Sequence, residues 1–157
     1  MARRPATARV SVGGTGGYAA RVVRAAAVRQ LGRAGARGEL SVLLVGDAKM
    51  RRLNSVYRGT DRTTDVLSFP QGGDVVGDVV ISVDTARRQA REGGWPLSRE
   101  LQRLLAHGIL HCLGHDHHEP REARRMAAAE RRLLGREGMV GTVTSDAKAV
   151  SSKRRVR

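Results

Sequence analysis

Residues 98–117 read SRELQRLLAHGILHCLGHDH, and the organisation of the chain follows from them. Leu101, Leu104, Leu105, Gly108 and Cys112 recur at helical spacing and fall within an arc of about 100°, so this stretch is predicted to be a helix with that face on the core. Ser98 opens it and Gly114 ends it. All five histidines of the chain, His107, His111, His115, His117 and His118, lie at its C-terminal end. Core packing would scatter them. His107 and His111 are four apart and therefore share one helix face, beside the apolar arc. At Gly114 the chain can reverse and bring His117 back over the helix end as a third nitrogen.

The resulting pattern, H-x3-H-x5-H with a glycine break, supplies three neutral imidazoles and an open fourth position, the donor set of a catalytic zinc site. One zinc per chain is expected on His107, His111 and His117, although the same nitrogens suit other first-row ions. Cys112 points about 100° away from His111 around the helix and reads as a small buried hydrophobe. His115 and His118 read as surface or supporting groups. Asp116 stands either as the carboxylate that orients a ligand imidazole or as a solvated turn residue. Metzincin proteases share this spacing as H-E-x-x-H-x-x-G-x-x-H. Here Gly108 occupies the place of their glutamate base, so the metal pattern is present and the peptidase machinery is not.

Working outward, Thr7–Val12 is predicted as a first strand and Gly13–Gly17 as a flexible turn. That glycine cluster lacks the GKS/GKT ending of a P-loop and the spacing of a dinucleotide fingerprint. Tyr18–Leu31 is a predicted amphipathic helix stopped by Gly32, and residues 40–45 (LSVLLV) are a strand. Asp47 is expected to N-cap a helix through Met50, Leu53 and Tyr57. Val66–Phe69 is a strand ended by Pro70, Gln71–Asp74 a turn, and Val75–Ser82 another strand. Asp84 is expected to cap a helix closed by Gly93 and Gly94. A last helix runs from Pro120 to Leu134 with Gly135 as its cap. The fold expectation is α+β: one small mixed four-stranded sheet packed with about five helices, and a zincin-like metal site at a helix end. Residues 1–139 form one domain in this reading, and residues 140–157 a flexible basic tail.

Composition narrows the function. The 157 residues carry 29 Lys and Arg against 15 Asp and Glu, a net charge of +14. Arg3, Arg4 and Arg9 at one end and Lys148, Lys153, Arg154, Arg155 and Arg157 at the other hold much of the excess. A polyanion partner, RNA or DNA, is the leading reading, and a solubilising arginine surplus is the other. Tyr18, Tyr57, Phe69 and Trp95 are the only aromatics, too few for a single-strand binder built on base stacking. No run of about 18 apolar residues occurs, so no membrane span is expected. The opening Met1-Ala2-Arg3-Arg4-Pro5 leads into no apolar segment, so no secretory signal is expected either. A lone cysteine fits a reducing compartment, the cytoplasm.

Three blocks in order, residues 53–70 (LNSVYRGTDRTTDVLSFP), 77–82 (GDVVIS) and 107–117 (HGILHCLGHDH), resemble the signatures of the bacterial YbeY family over about residues 9–139. The resemblance implies an α+β fold and zinc-dependent endoribonuclease activity. It further implies single-stranded RNA as substrate, maturation of the 16S rRNA 3′ end on the small ribosomal subunit, and quality control of the 70S ribosome. Ribosome-associated proteins are possible partners. It places the metal on His107, His111 and His117, a functional arginine on Arg58 in the Y-R-G motif, and a functional acid on Asp78. Many members carry Tyr or another residue where His115 stands, a mild departure. By their own chemistry, Arg58 reads equally as a surface arginine at a helix end and Asp78 as a turn residue. A guanidinium offers bidentate donors to the charge that phosphodiester hydrolysis builds on the non-bridging oxygens. A non-catalytic RNA-binding assembly factor with a structural metal is the alternative, and a metalloprotease the third reading.

Overall fold

The computed structural model describes residues 8–139, and the basic tail expected over 140–157 lies outside them. Along that span run β1 (Arg9–Gly14), α1 (Tyr18–Ala34), β2 (Glu39–Val45), α2 (Asp47–Arg58), β3 (Val66–Pro70), β4 (Val75–Ser82), α3 (Val83–Gly93), α4 (Leu97–Cys112) and α5 (Pro120–Met139). The strands form one mixed sheet in the order β1-β2-β4-β3, in which β1, β2 and β4 are parallel and β3 is antiparallel to β4. The expected α+β class, sheet and helix number are thus observed.

Strand composition explains this order. β4 is apolar along nearly its whole length and sits between β2 and β3, buried on both faces, as parallel interior strands are. Its period of two divides the core. Leu40, Val42, Leu44, Val79 and Ile81 face α1 and α4, whereas Val45, Leu67 and Val80 meet Met50 and Leu53 of α2 on the other face.

α4 is the central helix, packed against α1, α3, α5, β3 and β4. The predicted arc is buried, and Ala106, Ile109 and Leu110 are buried with it because helices cover α4 on further sides. Two close approaches set its height over the sheet. A Cβ on Gly108 would lie 2.6 Å from Val79 Cγ1, and one on Gly77 would lie 2.7 Å from Cys112 Sγ. Only residues without side chains let helix and strand meet this closely.

Several boundaries differ from expectation. β1 runs to Gly14, because Gly13 and Gly14 pair with Leu43 and Leu44 instead of turning. α1 passes Gly32 and stops at Gly35, where the Ala36 N–H reaches the Leu31 carbonyl. Neither aspartate caps its own helix. Asp47 lies inside α2, whose first N–H is taken by the carboxylate of Asp84 at 3.0 Å, while Ser82 caps α3 by accepting from the Thr85 N–H. α4 starts at Leu97, its first-turn N–H groups of Arg99 and Glu100 held by the Pro96 carbonyl. Gly135 breaks α5 rather than capping it. The helix resumes to Met139, and the Leu133 carbonyl accepts from Arg33 Nη1 at 2.8 Å.

Candidate metal centre

The C-terminal half of α4 carries two of the three predicted ligands. His107 and His111, one turn apart and half-buried, face each other with their Nε2 atoms 3.0 Å apart. Beyond Cys112 the Leu113–Gly114 turn reverses the chain, held by the His115 N–H on the Leu110 carbonyl at 2.9 Å. His117 then returns, exposed, with its ring centroid 5.3 Å from His111 and 5.9 Å from His107. One nitrogen from each ring lies within 4.8 Å of the other two. Tetrahedral zinc with bonds of about 2.0–2.1 Å needs nitrogens roughly 3.3 Å apart. The α4 pair is near that value, and the His117 nitrogen stands within 4.8 Å of both.

The electrostatics of His111 suit a cation. Burial, then the neighbouring His107 and His117, push the pKa of His111 down to about 4, so this ring is neutral at pH 7 with a lone pair to give. Nδ1 of His107 lies 2.9 Å from Glu130 Oε1. An ionised carboxylate only accepts, so a neutral His107 that bonds to it carries its proton on Nδ1 and turns an Nε2 lone pair toward His111. Three imidazoles, each offering one nitrogen within 4.8 Å of the other two, fit a zinc-type ion.

The remaining histidine-rich residues do other work. Asp116 Oδ1 accepts from the His117 backbone N–H at 2.7 Å and stands 3.9 Å from its Nδ1, while Oδ2 is 3.2 Å from His118 Nε2. It shapes the loop, and neither His115 nor His118 joins the triad. Cys112 is buried with Sγ on the Asp78 carbonyl at 3.9 Å, and burial pushes its thiol up to about 11. It is a protonated packing residue.

Arg58 is the last residue of α2. Its Nη2 donates to the Ser68 carbonyl at 2.6 Å and its guanidinium carbon lies 5.3 Å from the Phe69 ring centre. It is exposed, and no carboxylate among the described residues pairs with it. Alternation separates the two β3 residues that Arg58 touches. Ser68 faces α4, its Oγ 3.4 Å from where a Gly108 Cβ would stand, and Phe69 faces α2. Arg58 thus contacts β3, the strand whose Ser68 side chain also meets α4. Asp78 pairs with Phe69 on the α2 face and accepts weakly from Gln71 Nε2 at 3.4 Å. Its neighbours Gly77 and Val79 are the residues that meet α4, so the Asp78 carboxylate leaves the sheet on the face away from the histidines.

Sequence reasoning missed Glu130. Its signal was position: Met126, Ala129 and Leu133 are the buried stripe of α5, and Glu130, four residues after Met126, is a charge at the margin of that stripe.

The family model described as Endoribonuclease YbeY matches residues 17–138. An Endoribonuclease YbeY of Myxococcus xanthus is 55% identical over 121 residues, which cover 71% of this chain and 41% of that protein. One from Anaeromyxobacter sp. (strain Fw109-5) is 53% identical over 122 residues, covering 74% and 62%. This chain thus spans less than two thirds of the length of these relatives. The solution structure of TM1509 from Thermotoga maritima is similar in fold, with a TM-score of 0.57, 22% identity and coverage of 93% of this chain and 95% of that one.

Proposed function

We propose, since this chain belongs to the YbeY family, that it is a zinc-dependent endoribonuclease of the cytoplasm. Its substrate in this reading is single-stranded RNA, namely the 3′ end of 16S rRNA on the small ribosomal subunit, with a further part in 70S quality control. The observation that carries the reading is the convergence of His107, His111 and His117 at a helix end.

His107, His111 and His117 would hold the ion. Bound zinc supplies Lewis acidity and lowers the pKa of water to about 7. Arg58 contributes fixed positive charge where the phosphodiester becomes more negative, and its anchoring on Ser68 and Phe69 means little reorganisation is needed there. A strand passing over the β3 edge would meet Arg58 on one side and the histidines on the other. A single strand bends around such an edge more easily than a duplex. We assign Asp78 an acidic role on the Arg58 side, across Phe69, where it would steer the strand by repelling phosphate from the α2 face. Gly108 stands where the metzincin spacing carries its glutamate, so that peptidase base is missing.

Protein freed of contaminating nucleases, incubated with zinc and given single-stranded RNA, duplex RNA and casein, tests the proposal. Cleavage of single-stranded RNA that falls about 100-fold or more in Arg58→Ala and His111→Ala is expected, in line with loss of an oxyanion donor or a metal ligand. Equal cleavage by wild type and both variants would mark contamination and favour a non-catalytic assembly factor. Casein hydrolysis would favour a protease.

A further inference from the structure

The 2.9 Å contact between Glu130 Oε1 and His107 Nδ1 joins two elements far apart in sequence. It forms because Met126, Ala129 and Leu133 bury one stripe of α5 in the same core as α4. Helical spacing then turns Glu130 toward the α4 face that presents His107. Both side chains are largely shielded, with 15% of His107 and 26% of Glu130 exposed. Shielding strengthens the contact relative to one in open water. Arg103, one turn before His107 on α4, adds charge on the same side: it is clamped by the fully buried Glu100 through bonds of 2.5 and 3.2 Å, and it feels the Glu130 carboxylate.

We propose that Glu130 is the positioning residue of the metal centre. It holds His107 as the Nδ1–H tautomer, fixes the ring plane, and thereby aims the Nε2 lone pair at the point His111 and His117 also face. A carboxylate in this place also makes the imidazole a better donor. Asp116, the acid nearest the ligands in sequence, does not do this, since it is spent on the His117 backbone N–H and on His118. The inference rests on the metal reading above and says which residue outside the triad makes that triad competent.

Zinc affinity, read by competition with a chromophoric chelator, tests it without reference to RNA cleavage. Glu130→Ala is expected to bind zinc about 10- to 100-fold more weakly than wild type. Glu130→Gln, whose amide oxygen still accepts from Nδ1–H, should recover part of that loss. Two-bond nitrogen–proton correlation spectra of the metal-free wild type should show His107 protonated on Nδ1, and Glu130→Ala should mix the two tautomers. Wild-type affinity in Glu130→Ala, or an Nε2–H tautomer of His107 in the wild type, overturns the proposal. His111→Ala separates the two possible failures. If it loses zinc while Glu130→Ala keeps it, only the positioning role falls. If His111→Ala binds as wild type does, the metal reading falls as well. Should Glu130→Ala fail to fold, the wild-type tautomer and the Gln variant decide.

Discussion

Gly108 shows how one missing side chain selects among chemistries. In the metzincin spacing its position belongs to a glutamate base, yet here the Cα faces Val79 and Ser68 with no room for a Cβ. Gly108→Ala is expected to lose about 0–2 kcal/mol net in urea unfolding, because Val79 must move within a packed core and overpacking of one methyl typically costs about 1–3 kcal/mol. The gain in helix propensity of an alanine, about 1 kcal/mol, offsets part of it. A variant more stable than wild type would show that α4 does not sit this close to β4. The triad itself was legible from spacing alone, since i and i+4 on a helix and a glycine-permitted reversal are local rules. Glu130 was not, because its partner is 23 positions away and only the packing of α5 on α4 brings them together. Asp78 shows the same limit: its place in a motif is readable, but which sheet face its carboxylate leaves from depends on the register of β3 and β4.

At the scale of elements, the start of α2 is tied to the start of α3. Asp47 Oδ1 accepts from Ser82 and Thr85 at 2.7 Å each and from Thr63 at 3.3 Å, and Oδ2 accepts from Arg88 at 2.6 Å. Asp84 returns the contact through the Asp47 N–H. The Arg88 guanidinium, with the Thr85 and Ser82 hydroxyls, holds the Asp47 carboxyl well below the usual carboxylate range against the opposing effect of burial. The folded protein thus resists protonation that the unfolded chain accepts near pH 4. This contribution to stability is fully present above pH 4 and declines as the pH falls below it. Unfolding curves between pH 5 and 2 should therefore be steeper in wild type than in Asp47→Asn, and parallel curves would contradict the arrangement. The strands and helices here were readable from periodicity, whereas the caps were not. A sequence shows that Asp47, Ser82 and Asp84 can cap helices, but their exchange of partners requires β2 and β4 to lie side by side. β1 likewise extends over two glycines because β2 offers them partners, a tertiary effect that overrides their turn preference.

For the molecule as a whole, a net charge of +14 would make the proposed RNA binding a matter of counterion release. Affinity should fall steeply with salt, with a slope near −0.7 per phosphate contact for a single strand. Removing residues 148–157 takes away Lys148, Lys153, Arg154, Arg155 and Arg157 and should flatten that slope. An unchanged slope would mean that the tail contributes no phosphate contacts. The proposed cleavage, however, requires α4 and the loop after it to hold an ion. The most direct measurement is zinc per chain by elemental analysis, after incubation with zinc and gel filtration, for wild type and His111→Ala. About one equivalent in the wild type and a small fraction of it in the variant is the predicted result. No zinc in the wild type, or the same content in both proteins, would contradict it.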